Sequence, residues 1–186
     1  AMVVGGGGYL LPRYLKQFWP KSQIEVVEID PAVTEAAIKT LGLSIDSSIQ
    51  IHHRDARNYV DELIARTQRG NRFQPYDFIY GDAVSGLSVP YQLTTLEFNQ
   101  NIKKLLAQDG VYLLIAIDTN RSGKFLGALV NTLEAVFPHV RVFFAEGRVD
   151  SEYARNTFVI SSSVEPLNLE QLPLKDIKIK ELSAAD

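Results

Sequence analysis

The sequence predicts a doubly wound α/β domain, built on a mostly parallel seven-stranded sheet whose last strand runs antiparallel. Three observations predict it. Short apolar runs of strand character alternate with helical patterns along the chain, which is how βαβ units and a parallel sheet read. Four consecutive glycines, Gly5 to Gly8, stand between the first strand and the first helix. Acidic residues stand at the ends of the next four strands.

Each element has its own signal. Met2 to Val4 is the first strand, and a helix follows from about Leu10 to Phe18. Ile24 to Ile29 is the second strand; Pro31, with its φ already set for a first helical turn, opens a helix that runs to about Leu41, where Gly42 stops it. Strand three is Ile49 to His52, followed by a helix from about Ala56 to Arg69. Strand four is Asp77 to Tyr80, a loop reaches Tyr91, and a helix covers about Thr95 to Ala107. Asp109-Gly110 then turns the chain into strand five, Val111 to Ile117. A helix from about Gly123 to Phe137 leads to strand six, Val140 to Ala145, and strand seven, Thr157 to Ser161. The last two leave no room for an ordinary helix between them and are expected to pair antiparallel. Residues 1–164 thus form one domain, and 165–186, with Pro166 and Pro173 among charged residues, read as an extended or loosely docked tail.

Composition narrows the function classes. The 186 residues are 46% hydrophobic and 22% charged, enough for one substantial core. A net charge of −3 with scattered Lys and Arg offers no basic stripe, so no nucleic-acid partner is expected. There is no cysteine, which removes disulfides, thiolate zinc sites and a Cys nucleophile. The longest apolar run, Val111 to Ile117, is too short to cross a bilayer, and no signal peptide is visible. The chain therefore reads as cytoplasmic, without membrane contact of its own, or as the cytoplasmic domain of a longer protein. The abrupt start at Ala1-Met2 fits the longer protein. A homodimer is left open.

Open parallel sheets bind ligands beyond the carboxyl ends of their strands. Here strand one delivers Gly5-Gly6-Gly7-Gly8, strand two Glu28, strand three Asp55, strand four Asp82 and strand five Asp118. Glycines alone also make plain turns, so their context decides. Strand, glycines and helix follow in that order, and Glu28 lies 20 residues after Gly8, where a ribose hydroxyl needs an acceptor. The third glycine of the dinucleotide fingerprint is missing, as Gly5-x-Gly7-x-x-Leu10 shows, which disfavours a pyrophosphate cofactor. Bland roles compete: Asp55 and Asp118 as helix N-caps, Asp82 as a loop cap, Glu28 as a surface acid.

Four segments in order, VVGGGGYLLPRYL, VVEIDPAV, HHRDARNYV and YDFIYGDAVSGLSVPYQLTTLEF, resemble the spermidine synthase-like branch, the polyamine aminopropyltransferases, of the class I S-adenosylmethionine-dependent methyltransferase fold, a Rossmann-like architecture. The resemblance runs from about Val3 to Ser161. With Gly5, Gly6, Gly7 and Gly8 as the nucleotide-binding loop, it implies that Gly5 and Gly7 approach the methionine-derived part of the nucleotide, that Glu28 takes the ribose hydroxyls, and that Asp55 and Ala56 contact the adenine. The donor it implies is S-adenosylmethionine or its decarboxylated form, with no metal. Asp82 matches the acid that receives the acceptor amine and helps deprotonate it, which suits the chemistry because only a neutral amine attacks a carbon next to sulfonium. Two positions depart from the family pattern: Gly8 replaces an acid of the glycine loop, and Ala83-Val84-Ser85-Gly86 lacks a second acid after strand four. Both acids help fix cationic groups, and Gly8 leaves room for an intact methionine tail.

Other candidates are Tyr91 and Gln92, at the end of a loop from Ser85 that sits where a lid over the acceptor belongs, and Tyr9, which either covers the nucleotide or packs on the first helix. His52-His53 project to opposite faces of a strand, a poor start for a metal site. The leading expectation is an alkyl transfer to an amine or other small nucleophile. Its rivals are a small-molecule methyltransferase and a non-catalytic nucleotide-binding module.

Overall fold

The computed structural model describes residues 1–44, 48–71, 73–84, 89–119, 123–145, 154–167 and 179–181. Its elements are β1 (Met2–Val4), α1 (Leu10–Phe18), β2 (Ile24–Glu28), α2 (Pro31–Leu41), β3 (Ile49–His53), α3 (Ala56–Gln68), β4 (Tyr76–Gly81), a 3₁₀ turn (Tyr91–Leu93), α4 (Leu96–Leu105), β5 (Leu106–Thr119), α5 (Lys124–Glu134), β6 (His139–Ala145), β7 (Arg155–Ser163) and β8 (Ile179–Glu181). The strands form one sheet in the order β3-β2-β1-β4-β5-β7-β6-β8. Strands β1 to β5 pair in parallel, and β7 runs antiparallel between β5 and β6.

Strand β1 shows why both faces are covered. Met2, Val3 and Val4 are all buried, but Met2 and Val4 join the core under α3, α4 and α5, whereas Val3 joins the core under α1 and α2. A two-residue side-chain period with apolar residues at every position demands helices on both sides. The chain leaves β1 toward β2 and β3, then returns to β4 on its other flank. This reversal puts a crevice beside the carboxyl end of β1, at the glycines.

The structure departs from the sequence reading at two places. Helix α4 stops at Leu105 and β5 starts at Leu106, both buried, where helical spacing had carried the helix to Ala107. Tyr76 pairs with Leu106 and Phe78 already with Val111, so Asp109 and Gly110 lie in a bulge within one long strand. Gly110 is needed there, since a Cβ would come within 2.8 Å of the Tyr76 carbonyl oxygen. Within the segment read as a tail, residues 179–181 pair antiparallel with β6 as an eighth strand. Among the described residues, no helix is long and apolar enough to cross a membrane.

Candidate functional site

The glycine loop is held from both sides. Gly5 N–H donates to the Val27 carbonyl at 2.9 Å, and Asp82 N–H donates to the Val4 carbonyl at 2.9 Å. Gly5 sits at φ 95°, and a Cβ on it would lie 2.6 Å from the Asp82 carbonyl oxygen. Only glycine fits so close to β4. Glu28, buried at the end of β2, accepts Gly6 N–H through Oε2 at 2.7 Å and Asp30 N–H through Oε1 at 2.9 Å. A carboxylate has about four lone-pair sites, so two remain for a ligand.

Beneath the loop lies Tyr9, itself left-handed at φ 55° and fully buried. A Cβ on Gly6 would come within 2.6 Å of its ring. Its hydroxyl lies 2.6 Å from Thr34 Oγ1, which is also 3.0 Å from His53 Nε2. Of the two roles open from the sequence, covering the nucleotide is excluded: Tyr9 is part of the core with Val3, Val26 and Ala37.

Between the loop and the ends of β2, β3 and β4 is a cavity of about 260 Å³, lined among others by Gly5, Gly7, Glu28, Asp55, Ala56, Asp82 and Gln92. A second cavity of about 240 Å³ shares Gly5, Gly7 and Asp82 and extends along Gly6, Gly8, Leu10, Pro12 and Tyr80. Asp82 is thus an acid in the wall of both. Asp55 both lines the first cavity and caps α3, accepting Asn58 N–H at 3.0 Å. Asp118 is a cap: it accepts Thr119 N–H at 2.7 Å and Leu126 N–H at 2.9 Å. Tyr91 is corrected. It is 81% exposed and does not line either cavity, because the short turn that aims Gln92 and Leu93 inward sends their neighbour out. Arg57 holds that turn, donating to the Gln92 carbonyl at 3.3 Å and to Thr95 Oγ1 at 3.0 Å. Of the loop from Ser85 to Tyr91 read as a lid, residues 85–88 lie outside the described residues.

Several lining residues had no flag in the sequence. Val33 and Leu93 give the first cavity apolar walls, suited to a flat heteroaromatic ring. Arg54 joins them, its N–H donating to the Glu28 carbonyl at 3.1 Å and its guanidinium paired with Glu62. Tyr80 was hidden as one more strand aromatic. The spacing of two from Asp82 was the available signal, since it places both on one side of the strand end.

Burial raises the Asp82 carboxyl above its ordinary value. Burial, and then the Asp82 charge, push Tyr80 up to about 12. Glu28, Asp55 and Asp82 thus line a space where, among the described residues, the lining cation is Arg54, which is paired with Glu62. Such a site favours hydroxyl donors and a cationic ligand. The histidines diverge: His52 Nε2 is 3.2 Å from Tyr59 Oη, while His53 reaches Thr34.

A sheet with this order and an antiparallel β7, a glycine turn after β1 and an acid at the end of β2, defines a class I methyltransferase fold. Within that class, the chain belongs to the spermine/spermidine synthase domain family, whose family model matches residues 1–164. It is 32% identical over 120 residues to the polyamine aminopropyltransferase of Vibrio vulnificus, covering 64% of this chain and 38% of that protein. It is 33% identical over 156 residues to the human eEF1A lysine and N-terminal methyltransferase, covering 80% of this chain and 22% of that protein. The chain therefore spans well under half the length of these curated relatives. A probable spermidine synthase from Corynebacterium glutamicum superposes with a TM-score of 0.76 at 21% identity, over 97% of this chain and 64% of that one. Human methyltransferase-like protein 13 in complex with SAH gives 0.70 at 28% identity, over 91% and 74%.

Proposed function

We propose that this domain binds S-adenosylmethionine or its decarboxylated form and transfers a methyl or aminopropyl group to an amine. The observation that carries the reading is the placing of Glu28 and Asp82 on either side of the glycine loop, both in the wall of the first cavity, with Asp82 also in the wall of the second. Glu28 would hold the ribose hydroxyls with its free lone pairs, and Asp55, Ala56, Val33 and Leu93 would enclose the adenine. The donor supplies an electrophilic carbon on a sulfonium. Asp82 holds the acceptor ammonium, takes up its proton as the neutral amine forms, and keeps nitrogen and carbon in line while the C–S bond breaks and the C–N bond forms. A carboxyl kept drier than in water is a better proton acceptor than an ordinary aspartate.

A second reading, methyl transfer specifically, is favoured by Gly8. The side chains nearest to a Cβ placed there are Leu41 and Leu10, at 3.4 and 3.7 Å, so among the described residues position 8 is surrounded by apolar carbon. The named relatives span both chemistries, as a polyamine aminopropyltransferase and an eEF1A lysine and N-terminal methyltransferase.

Calorimetric titration with the two donors, with S-adenosylhomocysteine and with 5′-methylthioadenosine tests the site. Binding of at least one is expected. Failure of all four to bind removes the proposal, and turnover assays on polyamines and lysine peptides then separate the two transfers.

A further inference from the structure

Under the glycine loop, three polar side chains run in a line from Gly6 to the surface. Tyr9 is fully buried, and its hydroxyl oxygen would lie 2.8 Å from a Cβ on Gly6, so it is part of the floor on which that residue rests. Tyr9 Oη is 2.6 Å from Oγ1 of Thr34, a buried residue of α2. The same Oγ1 is 3.0 Å from Nε2 of His53, an exposed residue at the end of β3. Protons decide what this line does. Tyr9 and Thr34 carry one O–H each, and a neutral imidazole supplies one acceptor nitrogen. Within the line, one direction satisfies both buried hydroxyls: Tyr9 donates to Thr34, and Thr34 donates to His53 Nε2. His53 is the terminal acceptor. An imidazolium has no lone pair to offer. Left in place, it donates to Thr34, and three protons compete for two oxygens; turned to water, it leaves the Thr34 proton without an acceptor. In both cases a buried hydroxyl is stranded.

We infer that His53 is a positioning residue for the glycine loop: as the neutral imidazole it ends the hydrogen-bond line that seats Tyr9 under Gly6, and its protonation unseats Tyr9. Gly6 N–H donates to Glu28 Oε2 at 2.7 Å, so a shift of the floor passes to the acid in the wall of the first cavity. The consequence for a ligand rests on the nucleotide site proposed above, whereas the hydrogen-bond line stands without it. The other charged groups around His53 have partners of their own. Glu28 lies opposite it in the register of β2 and β3, with its oxygens on the Gly6 and Asp30 amides. On α2, Asp30 caps the helix through the Ala32 amide, and Glu35 pairs with Lys39. After β3, Arg54 pairs with Glu62, and Asp55 caps α3 through the Asn58 amide. His52 projects to the opposite face of β3, toward Tyr59 and Glu25. Imidazole charge ordinarily changes between about pH 5 and 8, so a variant of His53 that retains His52 is the control that isolates the effect.

Amide magnetic resonance spectra of the nucleotide-free chain, between about pH 5.5 and 8, test the coupling whether or not a nucleotide binds. The Gly6 amide resonance should titrate with the same midpoint as the His53 ring. It should stay still in His53→Gln, whose amide oxygen can accept from Thr34 at every pH, and in Tyr9→Phe, which has no hydroxyl for Thr34 to anchor. Calorimetry with S-adenosylhomocysteine should then give a wild-type affinity about tenfold or more weaker at the acid end of this range than at the alkaline end, and no such difference in either variant. A Gly6 resonance that stays still in the wild type, or that titrates unchanged in either variant, overturns the role of His53. So does a wild-type affinity that is level across the range. Failure to bind S-adenosylhomocysteine at any pH counts against the nucleotide reading alone, since the amide spectra still decide whether His53 positions the loop.

Discussion

Glu28 Oε2 accepts the Gly6 amide at 2.7 Å, so the acid at the end of β2 fastens the loop at the end of β1 while facing the cavity. The anchor of the loop and a wall of the cavity therefore coincide in one side chain. A glutamine at position 28 has one acceptor oxygen for two amide donors, Gly6 and Asp30, and its NH₂ would confront one of them. Glu28→Gln is expected to cost about 1–3 kcal/mol, a fall in melting temperature of about 2–4 °C per kcal/mol for a domain of this size. Nucleotide affinity should fall at least about tenfold. Thermal melts and calorimetry check both; an unchanged affinity takes Glu28 out of the nucleotide site.

Asp82 predicts the opposite stability effect. Its carboxyl is raised by burial above the ordinary 3.8, so the folded state holds this proton more tightly than the unfolded chain. The favourable contribution is present below the unfolded pKa and lost as pH rises through the folded one. At neutral pH the ionised group is then a net cost. Asp82→Asn should leave the melting temperature at pH 7 unchanged or higher, keep donor binding, and lower turnover by about a hundredfold or more. In the wild type, the acid limb of kcat/KM should titrate above the usual aspartate range and vanish in the variant.

Much of this site was legible because the carboxyl ends of strands can be read from apolar runs. Val26-Val27 before Glu28, and Ile79-Tyr80 before Asp82, fix where each acid emerges. Legibility failed where backbone geometry decides. Tyr9 is buried because its φ of 55° turns the ring under Gly6, a conformation that residue type does not announce. Tyr91 and Gln92 are neighbours in one 3₁₀ turn, and sequence offers no way to choose which points inward. The bulge in β5 was hidden because Leu105-Leu106 suits a buried helix end and a buried strand start equally well.

The loop glycines should separate stability from binding. Gly5→Ala forces a Cβ within 2.6 Å of the Asp82 carbonyl oxygen at φ 95°, against backbone that cannot step aside. A loss of about 2–4 kcal/mol is expected. Gly7, at φ 50°, has nothing within 4 Å of a Cβ, so alanine there costs only the left-handed strain, about 1–2 kcal/mol. Gly7 lines both cavities, so a methyl group added there alters their common wall. Urea denaturation and titration on the two variants should rank them oppositely, with Gly5→Ala the less stable and Gly7→Ala the larger loss of affinity per unit of stability lost.

Tyr9 supports the loop through its ring and anchors it through its hydroxyl, and the two contributions can be pulled apart. In Tyr9→Phe the ring still fills the space under Gly6, and Thr34 keeps its 3.0 Å contact with His53. The cost should be that of one buried hydrogen bond, about 0.5–1.5 kcal/mol, with nucleotide affinity held. Tyr9→Ala removes a fully buried ring, for about 3–5 kcal/mol, and leaves Gly6 without its floor. The Gly6 amide can then drift from Glu28, so affinity should fall along with stability. If Tyr9→Phe alone abolishes binding while its urea midpoint stays near wild type, the hydroxyl has a role at the ligand that its 2.6 Å contact with Thr34 does not provide.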